Sequence, residues 1–313
     1  MNKILVTPRS LTAGGHPALD RLVADGFQVI FSTAGRQPGE EELLDLLPGC
    51  VGYLAGVEPV TRRVIESAAE LEVISRNGTG VDNIDLDAAR QRNITICRAE
   101  GANAEGVAEL AVGLLLALAR SIAPSDSSIK EGLWQRRIGV ELAGKTLGVV
   151  GCGRIGRRVT EMAIGLGMSV IAHDVFMERP FDLSDRFRFA PLDEVYVSAD
   201  AVTLHCPPPS HGRPLIDAAA IAKMRPGVLL VNTARYDLID SDAVTAALDD
   251  GHIAGLALDV FDREPPRDNP LIAHKRVIAT PHIGGFTTES VNRAVSVAVD
   301  NLVRHLTRCS IAG

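Results

Sequence analysis

The sequence predicts an α/β protein built from two doubly wound parallel sheets in series, flanking a cleft. Three observations carry that prediction. Short β-branched runs alternate with helical segments almost from end to end, the signature of a parallel sheet covered on both faces. At 313 residues the chain exceeds most single cores,. A long apolar helix, "NAEGVAELAVGLLLALAR" (103–120), interrupts the alternation, and a second alternating series begins after it.

In the first series "KILVTP" (3–8), "FQVIFS" (27–32), "CVGYLAG" (50–56), "LEVISRNG" (71–78) and "ITICRA" (94–99) read as buried strands. Amphipathic stretches such as "HPALDRLVADG" and "TRRVIESAAE" lie between them. The second series contains "KTLGVVG" (145–151), "MSVIAHD" (168–174), "DAVTLHCP" (200–207), "GVLLVNTA" (227–234), "HIAGLALDV" (252–260) and "RVIATPH" (276–282). "CPPPSHGRP" (206–214) and "REPPRDNP" (263–270) carry the strongest breakers and must be loops,. The final stretch, 287–308, has helical periodicity and is placed to fold back on the first unit,. The expected domains are therefore 1–99 with 287–313, and 100–286.

Composition narrows the function. A net charge of −7 and the lack of a basic stripe argue against a nucleic-acid surface,. Five scattered cysteines, an odd number without CxxC or Cys/His spacing, predict reduced thiols in the cytoplasm and no metal site,. The N-terminus lacks a signal peptide's apolar run,. "VAELAVGLLLALA" (107–119) is short and contains Glu109, so a buried helix is expected and not a membrane span,.

Gly151, Gly153 and Gly156 in "VVGCGRIG" have GxGxxG spacing. With 29 glycines in the chain the spacing alone is weak. Here a strand-like run precedes it, a helical pattern follows, and a second strand ends at Asp174, 18 residues beyond Gly156. The first glycine permits the tight turn, the second lets backbone approach a pyrophosphate, and the third allows close helix packing. The N–H groups near Arg154 and Ile155 would face the anion. Asp174 would accept from ribose hydroxyls and repel a 2′-phosphate, which favours NAD over NADP.

Ligands of open α/β sheets bind at the carboxyl ends of strands. Three ionisable residues follow strands of the second series: Arg235, Glu264 and His282. Taken with "GCGRIG", "VNTAR", "ALDVFDREPP", "TPHIGG", "ISRNGTGVDNIDLDAA" and "NAEGVAEL", the chain resembles the D-isomer-specific 2-hydroxyacid dehydrogenases. Within that family it is most similar to the phosphoglycerate dehydrogenase branch. The resemblance implies a flavodoxin-like substrate domain and a Rossmann NAD domain. It also implies a small 2-hydroxy or 2-oxo acid as substrate and a homodimer, formed through the cofactor domain and the 103–140 segment.

By the same resemblance Arg235 holds the substrate carboxylate and carbonyl oxygen, His282 exchanges the proton, and Glu264 supports His282. Gly78, Thr79 and Gly80 would bind the carboxylate from the first domain. Cys206 and Pro207 would line the adenine side, and Asp259 would meet the nicotinamide end. Thr233, Ala234, Gly284 and Gly285 match cofactor-contacting backbone. The chemistry agrees, because a guanidinium grips a 2-oxo acid through two oxygens.

Three departures stand out. Tyr236 follows the arginine where the family has glycine, so its bulk either narrows the pocket or points away. "YLAGVEPVT" offers Ala55, Gly56 and Glu58 where many phosphoglycerate dehydrogenases carry an Arg-Ser pair for phosphate. The chain ends at Gly313, without the regulatory extension of some members. Two other activities share this scaffold by resemblance, an NAD(H)-sensing corepressor-like interaction protein and a phosphite dehydrogenase. A substrate panel separates them from the hydroxyacid enzyme.

Overall fold

The structure, a computed structural model, describes residues 2–176, 185–209 and 212–309, with the side chains of 308 and 309 left undescribed. It divides into two compact units, Met1–Asn103 with Thr288–Gly313, and Ala104–Thr287.

The first unit holds five strands, β1 (Lys3–Val6), β2 (Gln28–Phe31), β3 (Cys50–Ala55), β4 (Val73–Arg76) and β5 (Thr95–Arg98). All pairs are parallel, in the order β2-β1-β3-β4-β5. Ile4, Leu5 and Val6 are fully buried, because successive side chains enter opposite faces and both faces are covered,. Leu43, Leu47, Val64 and Ile65 pack with Leu5, Tyr53 and Ile74 on one face. On the other, the closing helix Thr288–Cys309 lays Val295, Val299, Leu302 and Leu306 on Ile4, Val6, Leu54 and Val73. That spacing is one helical stripe. Each such side chain contributes about 1.5–3 kcal/mol through burial. The return of the last stretch to the first unit is thus seen directly.

The second unit holds β6 (Thr146–Val150), β7 (Ser169–His173), β8 (Phe187–Phe189), β9 (Ala201–Leu204), β10 (Val228–Asn232), β11 (Ile253–Leu258) and β12 (Val277–Ala279). These strands are parallel in the order β12-β11-β10-β9-β6-β7-β8. From β6 the chain winds outward through β7 and β8, then returns to β9 and winds the other way. The direction reverses between β6 and β9, which is where such sheets open a crevice for a ligand.

The helix Ala104–Ala119 buries Ala108, Ala111, Leu114 and Leu115 against Leu147, Val149, Val231 and Ala257. Its apolar character is that of a core helix, as expected. Among the described residues no single helix is long and apolar enough to cross a membrane. Among the elements absent from the sequence reading are β8, three residues at the sheet edge, too short for a period to register, and the helix Ile122–Lys130. In the loop 206–214, Ser210 and His211 lie outside the described residues.

Candidate active site

The glycine turn follows β6. Gly151 has φ +93°, and a Cβ there would lie 2.6 Å from the Cys206 nitrogen at the end of β9. A Cβ on Gly156 would collide with the Gly151 carbonyl, so the helix could not seat against the strand. A Cβ on Gly153 would meet nothing within 4 Å, so the turn faces open space there. Gly153 caps the helix Arg154–Gly165 without a side-chain hydrogen bond, and its first turn carries no acidic residue. The N–H groups of Arg154 and Ile155 begin this helix, where the macrodipole favours an anion.

Asp174 follows β7 directly. Its Oδ2 accepts from Cys152 N at 2.7 Å and its Oδ1 from Phe176 N at 2.9 Å. The carboxylate therefore stands over the turn, with lone pairs left on both oxygens. Across the switch point, Thr233 Oγ1 after β10 and His205 Nδ1 after β9 are buried without a hydrogen-bond partner. Orphaned polar atoms of this kind call for an occupant. Open turn, uncapped helix, carboxylate and orphaned hydroxyl together fit a dinucleotide.

Beside β9, burial raises the Cys206 thiol to about 11, and burial likewise raises Cys152 to about 11. Both should stay protonated at pH 8. We expect slow iodoacetamide labelling of the native protein at that pH, accelerating toward pH 11 or on unfolding. Rapid labelling of either residue at pH 8, read by peptide mass spectrometry, would contradict the burial. Cys50 and Cys97 are also free thiols, and the Cys309 side chain lies outside the described residues. Burial holds the His205 ring down to about 3, so it is neutral, and its Nε2 pairs with Thr203 Oγ1 at 2.9 Å.

Glu264 and His282 follow β11 and β12, neighbours in the sheet. His282 Nδ1 lies 2.8 Å from both oxygens of Glu264. Donation from Nδ1 fixes the ring and leaves Nε2 to exchange a proton. His282 is about half exposed. Its backbone is left-handed, φ +53°, a conformation that costs a non-glycine residue about 1–2 kcal/mol. The residue that holds it there is Asp259, which is 1% exposed. One Asp259 oxygen accepts from Thr280 Oγ1 at 2.6 Å and Ile283 N at 2.9 Å, the other from Gly284 N at 2.8 Å. Asp259 thus clamps the chain on both sides of the imidazole. Gly284 and Gly285 form the turn that follows.

Arg235 follows β10. Its Nη1 donates to the Ala234 carbonyl at 2.7 Å. The buried Asn232, unremarked in the sequence, braces this loop: its Nδ2 donates to Arg235 O at 2.8 Å and its Oδ1 accepts from Ala234 N at 3.1 Å. The three ionisable residues therefore leave adjacent strands β10, β11 and β12 at one edge of the sheet. Glu264 and His282 meet directly.

In the first unit, Gly78, Thr79 and Gly80 follow β4. Gly78 has φ +154° and sits over Arg76, whose Nη1 would be 2.7 Å from an added Cβ. Thr79 Oγ1 accepts from Asn103 Nδ2 at 3.4 Å. Glu58, in the stretch that lacks the phosphate-binding Arg-Ser pair, is 1% exposed. It accepts from Tyr53 Oη at 2.6 Å, from Gly56 N at 2.8 Å and from Thr7 Oγ1. A buried carboxylate needs such donors.

Comparison with known proteins agrees with this architecture. Residues 112–284 match the family model described as D-isomer specific 2-hydroxyacid dehydrogenase, NAD binding domain. The chain is 41% identical over 273 residues to the D-3-phosphoglycerate dehydrogenase of Methanocaldococcus jannaschii, covering 85% of this chain and 52% of that protein. It therefore spans about half the length of this and the other curated phosphoglycerate dehydrogenases it matches. It is 38% identical over 273 residues to the hydroxypyruvate reductase of Thermotoga maritima, covering 85% of this chain and 88% of that one. The crystal structure of the TT0316 protein from Thermus thermophilus superposes with a TM-score of 0.86 at 36% identity, covering 98% and 97% of the two chains. With the glycine turn, the carboxylate above it and the strand-end trio in place, the chain belongs to the D-isomer-specific 2-hydroxyacid dehydrogenase family and carries its NAD-binding domain.

Proposed function

We propose that the protein interconverts a small D-2-hydroxyacid and its 2-oxo acid, with NAD as the redox partner. The observation that carries this reading is the His282–Glu264 pair, joined at 2.8 Å on the strand edge that also bears Arg235 and the glycine turn. The chemistry the dinucleotide supplies when bound is hydride exchange at C2.

The chain's own residues do the rest. The guanidinium of Arg235 binds the 2-oxo acid through its carboxylate and carbonyl oxygens, polarising the carbonyl. His282 delivers the proton from Nε2 to the C2 oxygen during reduction and removes it during oxidation. Glu264 keeps the imidazole oriented through Nδ1. Cys206, Pro207, Thr233, Ala234, Asp259, Gly284, Gly285 and the 151–156 turn would hold the dinucleotide.

The substrate is a small unphosphorylated 2-oxo acid. Supporting this, the stretch "YLAGVEPVT" (53–61) offers no arginine where the resemblance implies a phosphate-binding Arg-Ser pair. The test is NADH consumption with glyoxylate, pyruvate, hydroxypyruvate and phosphohydroxypyruvate. Turnover confined to the phosphorylated acid would refute the substrate assignment. NADH binding with no turnover on any acid would refute the enzyme, and NAD reduction by phosphite alone would reassign it.

Asp174→Ala should raise the NADP to NAD ratio of kcat/KM by on the order of tenfold, because the repulsive element is gone. Affinity for NAD should fall as well, since Cys152 N loses its acceptor. An unchanged ratio would place the ribose contact elsewhere.

The same proposal includes a cytoplasmic homodimer. Odd, scattered cysteines suit a reducing compartment,. Ile122, Ile129, Trp134 and Ile138 expose large apolar surface on 122–138, with Trp134 83% exposed. A second copy of the chain would cover them, and a monomeric mass by light scattering would count against it.

A further inference from the structure

Tyr236 is the departure from the family pattern nearest the chemistry, and the structure shows what its side chain does. The ring packs against the core cluster that contains Ile216, Leu238 and Leu271. Its hydroxyl accepts from Ser241 Oγ at 2.7 Å and from Asn269 Nδ2 at 3.0 Å. Ser241 opens the next helix, Ser241–Asp250. Asn269 closes the loop that carries Glu264. Its Oδ1 caps the helix Pro270–Ala273 through Leu271 N at 3.0 Å, and its Nδ2 also reaches Asp262 Oδ1 at 3.4 Å. Asp262 stands two residues before Glu264.

A glycine after the arginine would leave the Arg235 and Glu264 loops without this tie. We infer that the Tyr236 hydroxyl is a positioning group that ties the Arg235 loop to the Glu264 loop through Asn269, so that the guanidinium and the His282–Glu264 pair keep one mutual placement. The inference rests on the dehydrogenase reading for its kinetic consequence but not for its structural one. Tyr236 touches no reacting atom. It acts because loops following adjacent strands otherwise move independently, and a misplacement of about 1 Å at the reacting centre can cost on the order of 100-fold in rate.

Two variants test it. Tyr236→Phe keeps the ring in the core and removes only the hydroxyl. Asn269→Ser keeps a helix-capping oxygen but is too short to reach Tyr236. Each should lower kcat on the 2-oxo acid by about tenfold, and the double variant should be no worse than either single one, since both break one link. NADH affinity, read by fluorescence titration, should stay within about twofold.

Amide hydrogen exchange reads the same link without catalysis. In either variant, exchange at 235–238 and at 262–269 should rise together. Unchanged kcat, losses that multiply in the double variant, or faster exchange in one loop alone would each overturn the tie. If the wild-type protein turned over no hydroxyacid or oxo acid, the dehydrogenase reading would fail, while the exchange measurement would still decide the tie.

Discussion

His282→Ala should lower kcat on a 2-oxo acid by about three orders of magnitude, within the range general acid–base groups supply, while NADH binding stays near wild type. The imidazole is about half exposed, and its Nδ1 contact is to Glu264. Truncation therefore removes the proton donor without opening a core cavity. The effect should fall on kcat and kcat/KM together, the pattern of an interaction made in the transition state. Stopped-flow hydride transfer separates that step from product release. A single-turnover rate within about tenfold of wild type would remove His282 from the proton transfer.

Asp259→Ala should be the most damaging substitution outside the trio. It leaves Thr280 Oγ1, Ile283 N and Gly284 N without their acceptor, the first two part-buried and the third buried. An orphaned buried donor costs roughly 1–3 kcal/mol. With partial relaxation, a loss of about 2–4 kcal/mol in unfolding free energy follows. The left-handed backbone at His282 would then relax, since its neighbours no longer hold it, and kcat should drop by about 100-fold or more. Asp259→Asn should recover part of the stability, because the amide oxygen still accepts while its NH2 cannot receive the remaining N–H. Denaturant unfolding and kcat, measured on both variants, check this. Lost stability with unchanged kcat would show that the clamp serves only folding.

Much of the site was legible before any coordinates. The glycine turn could be read because each of its three positions obeys a local steric rule, and the collisions awaiting a Cβ at Gly151 and Gly156 are those rules in space. Arg235, Glu264 and His282 could be read because each ends a strand run, and parallel winding brings all such ends to one edge. What escaped were groups whose work is to hold others. Asn232 looked like the last residue of a strand, and only the returning carbonyl of Arg235 reveals the brace. Asp259 was assigned to the nicotinamide by resemblance, and its three donors come from a loop more than twenty residues away.

The amino-acid order by itself determined the architecture, the glycine turn and which ionisable residues follow the strands of the second sheet. These follow from periodicity, chirality and the steric needs of a few glycines, all of which act within a few residues. Tertiary structure alone decided which way Tyr236 points, how Glu58 is satisfied in the interior, and what keeps His282 in a left-handed turn. Those outcomes depend in part on hydrogen bonds between segments remote in the chain, Thr7 to Glu58, Asn269 to Tyr236 and Gly284 to Asp259, and a partner that only folding brings close leaves no local trace in the sequence.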